Sequence, residues 1–119
     1  RLARHLEPIT RPFWYARWDE RSQAHAASGA QQMSMRAYAG FRPESNYDVD
    51  AARESLRAVT AEVLIVVADH DAVTGVSVAD KYCALLPQCR TVVVPGAGHY
   101  PWVDQPDLFR DAVEKFLVG

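Results

Sequence analysis

Val63-Leu64-Ile65-Val66-Val67 is a continuous apolar run of strand length, and it stops at the polar cluster Asp69-His70-Asp71. A run without polar alternation fits a strand buried on both faces, as in a parallel sheet. Downstream, Ala79, Tyr82, Cys83 and Leu86 recur at helical spacing, and Pro87 stops the pattern. A second apolar run, Thr91-Val92-Val93-Val94, closes on Pro95-Gly96-Ala97-Gly98-His99. The last segment is the clearest helix: Pro106 suits a first turn, and Leu108, Phe109, Ala112, Val113, Phe116 and Leu117 form one apolar stripe. The order strand, helix, strand, helix is that of βαβ units in a parallel sheet, an α/β fold with helices on the sheet faces. Two strands alone leave open hydrogen-bonding edges and uncovered apolar faces, so the sheet is expected to need more strands than this chain supplies.

The stretch from Arg1 to Asp50 has no continuous β-like run. Arg17 to Ala27 and Gln31 to Ala39 read as helices, with Asp19 as a start and Gly29 and Gly40 as breaks. Arg42-Pro43-Glu44-Ser45-Asn46 reads as a loop, and Asp50 as the cap of a short helix, Ala51 to Ala58, with Ala52, Leu56 and Val59 on a shared face.

A composition of 49% hydrophobic and 24% charged residues is that of a globular domain, which sets disorder aside. A net charge of -2 with scattered basic residues gives no electrostatic reason to expect nucleic acid or an anionic membrane as partner. No apolar run reaches the roughly 20 residues of a membrane span, and Arg1-Leu2-Ala3-Arg4-His5 lacks the apolar core of a signal peptide, so a cytoplasmic location is expected. Cys83 and Cys89 fall in a helix pattern and before a strand, and two reduced thiols are expected. The first methionine is Met33, from which the chain is expected to begin inside a longer protein.

Both polar clusters follow strands, where open α/β sheets carry their functional groups. A carboxylate and an imidazole on neighbouring strand ends can meet, the acid accepting the Nδ1 hydrogen so that Nε2 is free to take a proton. Asp71 and His99 are the candidates. A metal site of Asp69, His70, Asp71 and His99 matches none of the usual zinc spacings, and no metal or cofactor is expected. Asp69 and His70 read as loop polar groups, and Arg36 and Arg53 as solvated. Trp14, Tyr15, Trp18 and Trp102 suit either a pocket lining or plain packing.

Val63 to Asp71 with Ala72-Val73-Thr74 resembles the acid strand and loop of α/β-hydrolases. The stretch from Pro95 through His99-Tyr100-Pro101 to Asp104-Gln105-Pro106 resembles their histidine loop, with glycines, histidine, acid and prolines at matching offsets. The resemblance covers the C-terminal half. Arg11-Pro12-Phe13-Trp14-Tyr15 and the alanine-rich helices look like the end of the helical cap in proline-iminopeptidase-like members. It implies a cap segment over residues 1–50 and, over 51–119, the last two βα units of an α/β-hydrolase parallel sheet. It also implies Asp71 and His99 as triad acid and base.

Glu62 and Ala68 depart from the pattern where a proline and a glycine are usual, without removing a catalytic group. The larger departure is the nucleophile, because family order is nucleophile, acid, histidine, and no G-x-S-x-G elbow precedes Asp71. Gly75-Val76-Ser77-Val78-Ala79 imitates one but follows a polar loop and comes after the acid. The oxyanion hole, built from the elbow and an earlier loop, is absent with it. The chain therefore reads as a hydrolase fragment, inactive alone, acting with the rest of the hydrolase or a partner chain on an ester, amide or amino-terminal peptide substrate. Epoxide hydrolases and dehalogenases use an aspartate on the same scaffold, so the nucleophile's identity stays open. A non-catalytic truncated module that dimerises or docks through an open sheet edge is the alternative.

Overall fold

The computed structural model describes residues 9–41 and 47–119. The expected loop at Arg42 to Asn46 and the first residues of the chain lie outside them. A 3-10 turn, Arg11–Trp14, leads into α1 (Glu20–Gln32). There follow α2 (Met35–Phe41), α3 (Val49–Arg57), β1 (Val63–Ala68), α4 (Val76–Cys83), β2 (Cys89–Val94), α5 (Pro101–Asp104) and α6 (Pro106–Val118).

β1 and β2 pair in parallel, from Val63 opposite Cys89 to Ala68 opposite Val94. The period-2 alternation puts Leu64, Val66 and Ala68 with Val92 and Val94 on one face, and Val63, Ile65 and Val67 with Cys89, Thr91 and Val93 on the other. Both α4 and α6 pack on the two strands. The α6 side is marked by a groove of about 350 Å³ among Leu64, Val92, Leu108, Ala112 and Phe116, and the α4 side by the Cys83–Cys89 bond. This is the α/β arrangement that the two apolar runs imply. Full burial of β1 is reached only at its carboxyl end, at Val67 and Ala68, because among the described residues β1 pairs with β2 alone.

Several expected boundaries are corrected. Helix α1 starts at the expected cap, Asp19, whose Oδ1 accepts from the Ser22 N–H at 3.0 Å, but it runs through Gly29 to Gln32. A glycine inside a helix costs about 1 kcal/mol and does not by itself end one. Asp48, not Asp50, caps α3, taking the N–H groups of Asp50 and Ala51. That leaves Asp50 in the first turn, where its charge still favours the helix.

The expectation of reduced thiols is also overturned. The turn after α4 folds back so that Cys83 and Cys89 stand 5.3 Å apart at Cα and form a disulfide. That separation lies within bonding range, and helix-then-strand placement did not forbid it.

Candidate active site

The site is built where the two strands end. Ala68, Val94 and Ala97, each at most 2% exposed, form a small apolar floor beneath the loops. The loops are tied across it: the His70 N–H donates to the Ala97 carbonyl at 3.0 Å, and Asp69 Oδ1 accepts from the Gly96 N–H at 2.8 Å. Gly96 has φ +65°, a left-handed conformation that favours glycine, and it turns the chain out of β2. Asp69 and the His70 backbone thus act as loop polar groups.

Asp71 is held by its own loop. Its Oδ1 accepts from the N–H groups of Val73 at 2.7 Å and Thr74 at 3.0 Å, an Asx-type turn. The remaining approach is taken by His99, whose Nδ1 lies 3.1 Å from Oδ2 and 3.2 Å from Oδ1. An ionised carboxylate can only accept, so Nδ1 carries the hydrogen, and in the neutral imidazole Nε2 then presents its lone pair. Burial, the largest single influence on the Asp71 carboxyl, opposes ionisation; the Thr74 and Val73 N–H groups and then the His99 bond and charge together outweigh it. The carboxyl is held below its ordinary value and is ionised at neutral pH. Its side chain is 7% exposed against 29% for His99, so the acid is shielded while the imidazole keeps an open side.

His99 is placed by the segment entering α1. Its N–H donates to the Trp14 carbonyl at 2.7 Å, and the Trp14 ring meets the imidazole edge-on, centroids 5.3 Å apart. A Cβ on Gly98 would lie 2.7 Å from the Trp14 oxygen and 2.9 Å from the Tyr15 backbone, so this close approach requires glycine. Asp104, 8% exposed, receives the Gly98 N–H at 2.8 Å and the Ala16 N–H at 2.9 Å on one oxygen, Oδ2. The Gly98 bond is buried, and a hydrogen bond to a charged group in such a place contributes about 1.5–3 kcal/mol.

The aromatic residues divide. Tyr15 is buried, with its hydroxyl 2.8 Å from His25 Nδ1 and its ring 5.0 Å from that of Tyr100, so it is packing. Burial raises the pKa of both tyrosines, keeping them neutral. Trp14, Trp18 and Trp102 remain well exposed, each with its ring beside that of Tyr15 or Tyr100. Ser77 sits in the first turn of α4, reached through the loop after β1 and not directly from a strand. In the sequence Asp104 stands out only as an acid at a motif offset, because its contact with Ala16 spans 88 residues and leaves no local signal.

The Alpha/beta hydrolase family model matches residues 1–112. The chain belongs to the α/β-hydrolase family. Among solved structures it is similar to a thermophilic esterase from Thermogutta terrifontis, at 29% identity and TM-score 0.54, over 56% of this chain and 24% of that one. It is likewise similar to a serine hydrolase involved in carbazole degradation, at 29% identity and TM-score 0.53, over 60% and 26%. A membrane phospholipase A, a bacterial virulence factor, shares the fold over 94% of this chain and 37% of its own, with TM-score 0.67 at 23% identity. The chain spans between about a quarter and two fifths of those proteins' length.

Proposed function

We propose that this segment supplies the acid and the base of a nucleophilic hydrolase whose nucleophile lies outside it. The observation that carries the reading is the contact between His99 Nδ1 and Asp71, 3.1 Å, at the carboxyl ends of paired parallel strands. As the nucleophile's oxygen bonds to the substrate carbonyl carbon, its proton passes to His99 Nε2. The same proton then goes to the leaving group as the scissile bond breaks, and water repeats the sequence to free the enzyme. Asp71 stays ionised throughout and stabilises the imidazolium. An ester substrate is favoured over an amide by the similarity to an esterase, and a serine nucleophile by the similarity to a serine hydrolase. The resemblance to proline-iminopeptidase-like caps rests on Arg11 to Tyr15 and the helices after it. Residues 1–50 as cap and 51–119 as core is the division this reading uses.

Among the described residues no helix is long and apolar enough to cross a membrane. Cytoplasmic residence and a lasting Cys83–Cys89 bond pull in opposite directions, because reducing compartments keep such thiols reduced. The bond favours an oxidising compartment.

The test is substitution in the complete protein, assayed on a chromogenic ester. His99→Ala is expected to lower kcat by about 10⁴-fold or more, and Asp71→Asn by a similar factor through loss of the correct tautomer. Activity of either variant within tenfold of the parent removes the reading.

A further inference from the structure

We propose that Asp104 is a positioning residue for His99, clamping the histidine loop to the segment Trp14 to Ala16 so that the imidazole meets Asp71; this rests on His99 being the base. Asp104 lies in the single turn of α5, yet its Oδ2 bonds to backbone outside that helix. One oxygen, Oδ2, gathers N–H groups from two separate pieces of backbone, Gly98 at 2.8 Å and Ala16 at 2.9 Å. Gly98 immediately precedes the base. The next N–H, that of His99 itself, is committed to the Trp14 carbonyl at 2.7 Å. The peptide units on both sides of the Gly98 Cα, the second of which leads into His99, are thus tied to the same segment, one through Asp104 and one directly.

The fit leaves no slack, since a Cβ at Gly98 would strike the Trp14 and Tyr15 backbone at 2.7–2.9 Å. The base needs that rigidity. Its Nδ1 stands 3.1 and 3.2 Å from the two Asp71 oxygens, near the outer end of good hydrogen-bond distances, so a loop slip of about 0.5 Å would lose the contact. Asp69 ties the other end of the loop, at Gly96 and Ala97, and does not reach Gly98. Without Asp104 two N–H groups, one of them buried, lose their acceptor.

Asp104→Asn can still offer one oxygen to both N–H groups, without the charge; Asp104→Ala cannot. In the complete protein, Asp104→Ala is expected to lower kcat about 10²-fold per folded molecule with KM within about threefold, the scale of a misplaced catalytic group. Asp104→Asn should recover most of that loss, keeping kcat three- to tenfold below the parent. The downfield proton NMR signal of His99 Nδ1–H, identified by its loss in His99→Ala, should vanish in Asp104→Ala and persist in Asp104→Asn. Folded fraction is taken from circular dichroism at the assay temperature. An Asp104→Ala protein that is folded and retains both kcat and the signal overturns the clamp. If that variant does not fold, Asp104→Asn decides, and an unchanged kcat per folded molecule overturns it. Loss of activity in His99→Ala with no effect at Asp104 refutes the clamp alone, whereas an active His99→Ala refutes the base itself.

Discussion

Asp71 is the residue whose surroundings have the clearest consequence for the fold. Two backbone N–H groups and an imidazole favour its charged form against the opposing effect of burial, and its pKa is lowered. A carboxyl whose folded pKa is depressed adds stability at pH above its unfolded value, about 3.9, and loses it as pH falls through the folded value. The stability gap between the parent and Asp71→Asn is therefore expected to shrink as pH falls from about 5 through 4 and below. Urea midpoints measured from about pH 5 to 2.5 check this, and a gap that widens across that range contradicts it. At this scale the sequence was partly legible. Asp71 and His99 could be singled out because strand ends and glycine-proline punctuation are local features. Asp104 as anchor of the loop could not, since its partners Ala16 and Gly98 come together only after folding.

Among the elements, the two strands, α4 and α6 were readable because apolar runs and 3.6-residue stripes survive in any context. Helix ends were less so. Asp48 and Asp50 both suit a cap, and which one bonds depends on a backbone turn the composition does not encode. The apolar stripe of α6 is only partly covered: Phe109 and Phe116 are half-buried, while Leu108 and Leu117 are exposed. The bond between the end of α4 and the start of β2 closes a loop between residues six apart in sequence. Closing a loop this short is worth about 2 kcal/mol in the chain-entropy model. Thiol titration of the unfolded, unreduced protein is expected to find neither cysteine reactive, and reduction to lower folding stability by up to that amount. Two titratable thiols before reduction would contradict the bond.

For the whole molecule, the proposed acid and base stand together at the strand ends, while no G-x-S-x-G elbow precedes Asp71 in the sequence. A parallel sheet normally buries both faces, whereas here most of β1 is only half-buried and Val93 is 44% exposed. The matched structures extend far beyond the region this segment covers, 24% of the esterase and 37% of the phospholipase. Partial burial of the strands and partial coverage of the similar structures are both what the proposal requires, in which further strands bring a nucleophile elbow and an oxyanion hole to His99. A histidine-carboxylate pair without them forfeits the covalent route and the oxyanion donors, each worth about 3 kcal/mol or more. The most direct measurement is hydrolysis of one chromogenic ester by the 119-residue chain alone, by its His99→Ala form, and by the protein completed with its upstream sequence in cis or as a separate chain. The account predicts that the isolated chain does no better than free imidazole and that completion restores turnover dependent on His99. Robust turnover by the isolated chain, abolished by Ser77→Ala, would contradict it.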